Sequence, residues 1–414
     1  MNVPHPQDDA DLLITGAHVR GHGPADVEVR DGRIRRISPA AAEPAPAAVP
    51  VLDGHGQVLL PAFVDAHSHL DKSLLGMPWY DRVPGRDLRR MVSDERELRL
   101  REDWDYVRQI SRNLEVMIAA GTTRTRAFAD VDLDAGIAGV EAMLEVKDRY
   151  AHAVEIQVIA FPQSGIHAHP GTEALLEQAL ERGADVLGGI DPSMLERDPV
   201  RNLDLLFAMA QRHGAGIDVH LHEPGPLGAF SAELIIERTL RDGMSGRVTI
   251  SHPDFLGGVD HGRARDLIGR MAEAGIGLTT NVPSGGPLPP LQEMLAAGLL
   301  VGSGCDGALD SWGPLNRSDM LLKGYQMAGR YGLGTDAQLD TVYDVIATGG
   351  AALMGIEDHR IRVGAEADLV LMPGEVPVEP IVSLPRQRTV LRRGRIIARD
   401  GLMLPPGAAE PSRR

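Results

Sequence analysis

The sequence predicts an α/β protein: a (β/α)8 TIM barrel joined to a small composite β-sandwich domain built by both chain ends. Three observations carry this. Short apolar runs alternate with helical patterns through the middle of the chain, titratable residues collect where those runs end, and the two termini share a different, hairpin-like texture. Length agrees. At 414 residues and 43% hydrophobic content the chain can bury a large core, too much for one small domain and about right for a barrel with an accessory domain.

At the N-terminal end, DLLITGAHVR and ADVEVRDGRIRRISP read as short strands separated by turns, followed by the Pro/Ala-rich AAAEPAPAAVP. ADLVLMP and RTVLRRGRIIARDG repeat that texture near the C-terminus, and the echo of VRDGRIRRI in LRRGRIIAR predicts two hairpins of one sheet. The expected division is 1–60 and 359–414 for the two parts of the small domain and 61–358 for the barrel. The tail past about Gly401, rich in Pro, Ala and Gly, is expected to be disordered.

Between these ends, eight candidate strands finish near His69, Asp130, Phe161, Asp191, Glu223, His252, Asn281 and Asp306. Helical patterns such as SRNLEVMIAAG, TEALLEQALERG, LDLLFAMAQRHG and ARDLIGRMAEAG separate them, each closing on a glycine. Eight such units are the expectation for a barrel of parallel strands. A doubly wound open sheet is the alternative, although no G-x-G-x-x-G follows the first strand.

Chemistry in such barrels sits at the C-terminal ends of the strands. The apolar run Val58 to Val64 leads into His67 and His69, which share one face because strand side chains alternate. Neutral imidazole is a standard ligand for Zn or Fe. Either histidine alone is equally a surface or satisfied core residue. His220, His252 and Asp306 at the ends of strands five, six and eight turn the pair into a metal site.

Composition excludes several classes. A formal charge of −16 without a sustained basic stretch argues against a nucleic-acid surface. No apolar run approaches the roughly 18 residues of a membrane span. MNVPHPQDDADLL lacks the basic start and apolar core of a signal peptide, so a cytoplasmic protein is expected. The single cysteine, Cys305, rules out an internal disulfide framework and the C-x-x-C of cysteine-ligated zinc deaminases. Only three lysines occur, Lys72, Lys147 and Lys323, which makes each a departure from the chain's preference for arginine.

The order H-x-H, His, His, Asp on strands one, five, six and eight resembles the amidohydrolase superfamily. The stretches DAHSHLDKS, IQVIAFPQSG, VLGGIDPS, IDVHLHEPGPLGAFS, GRVTISH and CDGALDSWGPL are similar to its cytosine deaminase-like branch, on the side of the isopropylammelide-hydrolysing members. The likeness spans nearly the whole barrel. It implies one divalent metal ion per chain, Zn or alternatively Fe, held by His67, His69, His220 and Asp306. Binuclear relatives carry a lysine on strand four, and DVLGGIDPS has none. It further implies a metal-activated hydroxide attacking a small nitrogen heterocycle to release ammonia or an alkylamine. Glu223 would move protons, Asp306 would take the water's proton, and His252 would bond the attacking oxygen. Gln163, Lys72, His222, Phe128 and Trp312 are the expected substrate contacts, with Lys72 equally able to pair with Asp71 or another carboxylate.

Departures bear on substrate. Cytosine deaminases place a second acid after the metal aspartate where this chain has Gly307, and relatives place a histidine where it has Phe128. Both changes predict a more apolar pocket. Ring-opening of a cyclic amide and an inactive scaffold are the alternative functions, and a homo-oligomer is a possible assembly.

Overall fold

A computed structural model describes residues 11–41, 49–82, 87–101, 104–282 and 285–405. The segments 1–10, 42–48 and 406–414 lie outside them, and with them most of the Pro/Ala-rich stretch and the end of the tail.

The fold is α/β with two sheets. In the parallel sheet the strands Phe63–His69, Thr122–Asp130, Glu155–Phe161, Val186–Ile190, Gly216–His220, Val248–Ser251, Gly277–Thr280 and Val301–Ser303 lie side by side in chain order. That order has no reversal, unlike the switch point of a doubly wound sheet. Parallel neighbours need long crossovers, and helices supply them. Pro199–His213 is a clear case: Asp198 caps it by accepting from the backbone N–H of Arg201, Pro199 opens it, and Gly214 ends it at φ 65°.

The last strand departs from the expected continuous run to Asp306. Val301–Ser303 pairs with Gly277–Thr280, and after Gly304 and Cys305 a second piece, Asp306–Gly307, pairs with the first strand. The sheet therefore curls until its two edges come from one segment of chain. Gly304 permits that approach, since a Cβ there would lie 2.3 Å from the backbone oxygen of His67.

The second sheet draws strands from both chain ends and joins them where Gln57–Pro61 runs antiparallel to Leu369–Pro373. Alternation divides its side chains. Leu59, Leu369, Leu371 and Leu391 enter a separate core with Ile14 and Val27, whereas Val58, Leu60, Val370, Met372 and Val390 join the large core. Each such buried side chain contributes about 1.5–3 kcal/mol, so both faces hold the sheet in place. The two echoing hairpins lie in this one sheet. Residues just past Gly401 correct an expectation: Leu402–Met403 forms a strand on Arg395–Arg399 rather than a disordered tail. Gly401 at φ 81° makes the tight turn that allows it.

Candidate metal centre and active site

His67 and His69 end the first parallel strand and His220 the fifth, while Asp306 opens the short second piece of the last. Alternation brings their side chains to one point. Nε2 of His69 lies 3.2 Å from Nε2 of His220, and Oδ1 of Asp306 lies 3.4 Å from Nε2 of His69 and 3.7 Å from Nε2 of His67. His67, His69 and His220 form one group with metal-binding spacing, and His67, His252 and Asp306 form another.

The donor set fits a divalent cation. Burial holds the histidines well below their ordinary pKa, with neighbouring cationic groups adding to the effect, so each imidazole is neutral and offers a lone pair. For His67 the tautomer follows from its partners. Ser251 donates its hydroxyl to Asp218 (2.7 Å) and therefore accepts from Nδ1–H of His67 (2.9 Å). Nε2 of His67 is left without a proton or a partner among the described residues, buried, beside Asp306. Arg126 pairs with Asp218 at 2.9 Å and completes the chain of support.

Three of the strand-end residues sit in the left-handed region: His252 at φ 61°, Asp306 at φ 62° and Asp191 at φ 35°. Non-glycine residues adopt this conformation at a cost and cluster at functional sites. Asp191 uses it to bind His222 twice, accepting from the backbone N–H at 2.7 Å and facing Nδ1 at 2.9 Å. Although burial works against the charge on His222, Asp191 raises its pKa above the ordinary value. The His252 ring packs 4.5 Å from that of His222 and 4.9 Å from that of His67.

A small pocket opens at this centre, lined by His69, Lys72, Glu95, Phe161, Gln163, Ile190, His220, His222, His252, Asp306, Asp310 and Trp312. The expected contacts Gln163, Lys72, His222 and Trp312 are all in it. Phe128 is not. Its ring is fully buried behind the histidines, with centroids 4.4, 5.1 and 4.5 Å from His67, His69 and His220. The aromatic wall is Phe161, stacked 4.2 Å from His220. Phe128 stands two residues short of its strand end, too deep to reach the cavity.

Lys72 does not pair with Asp71. It lies 2.9 Å from Asp130 and 3.6 Å from Glu95, and it donates to Gln163. Glu223 lies three residues past its strand and is fully buried, as an inward-turning loop requires. Its Oε1 accepts from the backbone N–H of Ser193 (2.6 Å) and Met194 (2.8 Å), and its Oε2 from the Ser231 hydroxyl. Burial raises its pKa against the pull of these donors.

Gly307 does not leave open space in the pocket. A Cβ on Gly307 would fall 1.6 Å from Oδ2 of Asp310, so the Asp310 carboxylate fills the space that the glycine leaves. Glu95 brings a second acid from the helix Leu88–Arg101. Sequence reasoning missed both, and also Ser251, Asp218 and Arg126. Asp218 did carry a signal, being a carboxylate inside an apolar strand two residues before His220.

The model of the "Amidohydrolase family" matches residues 50–398 of this chain. The chain belongs to the amidohydrolase family. Among its amidohydrolase relatives, the N-isopropylammelide isopropyl amidohydrolase of Pseudomonas sp. (strain ADP) is 31% identical over 85% of this chain and 89% of that protein. The crystal structure of N-isopropylammelide isopropylaminohydrolase from Burkholderia multivorans superposes with a TM-score of 0.91 at 38% identity, covering 95% of this chain and 100% of that one. A 5-methylcytosine deaminase from Klebsiella pneumoniae, liganded with 5-fluorocytosine, gives a TM-score of 0.80 at 25% identity over 97% and 99% of the two chains. No helix among the described residues of this amidohydrolase is long and apolar enough to cross a membrane.

Proposed function

We propose that this amidohydrolase cleaves an exocyclic C–N bond of a small nitrogen heterocycle, releasing ammonia or an alkylamine. The observation that carries the reading is the unpartnered, deprotonated Nε2 of His67 converging with His69, His220 and Asp306 beside a small pocket. The relatives that act on isopropylammelide and on a cytosine support the substrate class. We read the curled parallel sheet as a closed (β/α)8 barrel spanning 61–358, with the composite domain from 1–60 and 359–414, in a cytoplasmic enzyme.

His67, His69, His220 and Asp306 would hold one divalent ion, Zn in the first instance, which supplies Lewis acidity and a bound water of lowered pKa. The chain's own groups do the rest. His252, neutral and beside His67 and His222, is placed to hydrogen-bond the oxygen that adds to the ring carbon. Glu223, buried three residues past the strand that ends at His220, is the group we assign to carry a proton to the departing amine. Phe161, stacked on His220, supplies the aromatic part of the pocket lining.

Metal analysis with an activity panel tests this. The protein is expected to bind one divalent ion per chain and to release ammonia or amine from at least one aminopyrimidine, pterin or N-alkylaminotriazine. Asp306→Ala should lower that release by at least about a thousandfold, equivalent to about 4 kcal/mol of transition-state stabilisation. Ring-opened product without amine release would overturn the bond assignment, and failure to bind metal after reconstitution would overturn the reading as a whole.

A further inference from the structure

Among the expected substrate contacts, Gln163 is suited to read a substrate's edge, because a carboxamide offers both a donor and an acceptor. Its groups are already committed. Oε1 accepts from Lys72, and Nε2 donates to Oε1 of Glu95 at 3.2 Å. The amide cannot be flipped, since that would set its NH2 against the ammonium and its oxygen against the carboxylate. Gln163 and Lys72 therefore clamp Glu95 by one oxygen. The other, Oε2, is buried without a hydrogen-bond partner among the described residues, on a side chain 4% exposed that lines the pocket.

Asp310 is built the same way. Its Oδ1 accepts from the backbone N–H groups of Trp312 and Gly313, both at 2.9 Å. Oδ2 has no hydrogen bond among the described residues and stands where a side chain on residue 307 would project. Each acid is thus fixed through one oxygen and keeps the other free of hydrogen bonds among the described residues, on a side chain that lines the pocket. A buried carboxylate oxygen without a donor is expensive; Oε2 of Glu95 is one, and with the unpaired Oδ2 of Asp310 in the same pocket it calls for a ligand that supplies donors. Burial pushes Glu95 up to about 7 and Asp310 up to about 6, in keeping with carboxyl groups that lack such donors.

We propose that Glu95 and Asp310 are the specificity-determining pair of this pocket, and that they select a heterocycle presenting at least two N–H donors besides the group being cleaved. A ring whose nitrogens are alkylated, or whose edge carries only acceptors, leaves both oxygens unpaired and is rejected. This rests on the reading of the pocket as the substrate site, but binding tests it without hydrolysis.

The experiment is calorimetric titration of the metal-loaded protein with 2,4-diamino-1,3,5-triazine and with its N-permethylated counterpart, followed by the same titrations on Asp310→Asn and Glu95→Gln. The parent should bind the diamine at least about tenfold more tightly, as expected for hydrogen bonds to a charged acceptor. Asp310→Asn keeps an acceptor for Trp312 and Gly313 and should fold normally. It should reduce the preference at least about threefold at unchanged metal content, and Glu95→Gln should do likewise. Equal binding of the two triazines by the parent, or a preference untouched in a folded Asp310→Asn, would overturn the pair. A preference present in a protein that hydrolyses nothing on the activity panel would sustain the pair while the proposed reaction fails.

Discussion

One strand, Thr122–Asp130, connects two polar regions of opposite character. Alternation puts Arg124, Arg126, Phe128 and Asp130 on a single buried face, from the start of the strand to its end. At the start, Arg124 contacts Glu155 (3.1 Å), Glu366 (2.6 Å) and Asp368 (2.5 Å), and Arg392 joins the same carboxylates. His359 accepts from Arg124 and donates to the backbone oxygen of Ala62, with its pKa lowered to about 4 by burial. Each of these charged side chains faces an opposite charge, although Nε of Arg392 makes no hydrogen bond among the described residues. At the other end, Nε2 of His67, Oε2 of Glu95 and both oxygens of Asp130 lack a hydrogen-bond partner among the described residues, although Lys72 and Arg99 lie within ion-pairing distance of Asp130. Satisfied charge joins the composite sheet to the parallel one. Unsatisfied charge marks where a ligand belongs.

The comparison breaks most visibly at Asp368. Although burial opposes its charge, Arg392 and Arg124 hold its pKa below the ordinary carboxylate value. A depressed native pKa contributes stability above the unfolded value, lost as pH falls through the native one. Asp368→Asn should therefore cost about 3–5 kcal/mol at pH 7 and progressively less as pH falls below the unfolded value near 4, read from denaturant midpoints. The folded variant should keep the parent's metal content and turnover. A variant that folds fully but loses turnover would tie this region to the chemistry and dissolve the distinction.

At the open end the sign reverses. Asp310 is raised to about 6, chiefly by burial. Its stabilising contribution is complete below the unfolded pKa near 4 and disappears as pH rises through about 6. In metal-free protein, Asp310→Asn should thus be the more stable form at pH 8, by about 3 kcal/mol, with the advantage gone by pH 4. Thermal unfolding across pH checks it. An Asn variant less stable than the parent at every pH would mean that Asp310 is held in place like Asp368.

These two ends were not equally legible. His67, His69, His220, His252 and Asp306 could be read from the sequence because strand period and strand termini alone align them. Lys72 and Gln163 were found, but not that each occupies the other. Glu95 was out of reach: LRRMVSDERELRLR has the charge pattern of a solvated helix, and only tertiary placement turns Glu95 inward. Asp310 was hidden for a different reason. Gly307 was read as a lost acid, whereas the structure folds an acid from three residues onward into the vacated space. Phe128 was assigned one layer too shallow, since periodicity gives a side chain's face but not its depth. The break at Gly304 and Cys305 shows the same limit, as pairing across two neighbours is decided by closure of the sheet rather than by local pattern.

Ser251 lies between the two regions and should give the smallest effect. It shares no ligand position, yet its hydroxyl relays the carboxylate of Asp218, itself paired with Arg126, to Nδ1 of His67. Removing such a support lowers metal affinity by about 10- to 100-fold without unfolding the protein. Ser251→Ala should do this in a chelator-competition assay, and Ser251→Thr, which keeps the hydroxyl, should restore much of the loss. Nitrogen NMR of the imidazoles gives the sharper readout. In the parent the proton of His67 resides on Nδ1; without Ser251 it should divide between the two nitrogens, so the metal must first displace it from Nε2 in a fraction of molecules. An unchanged tautomer in Ser251→Ala would show that packing against Phe128 and His220, rather than the relay from Asp218, orients the ring.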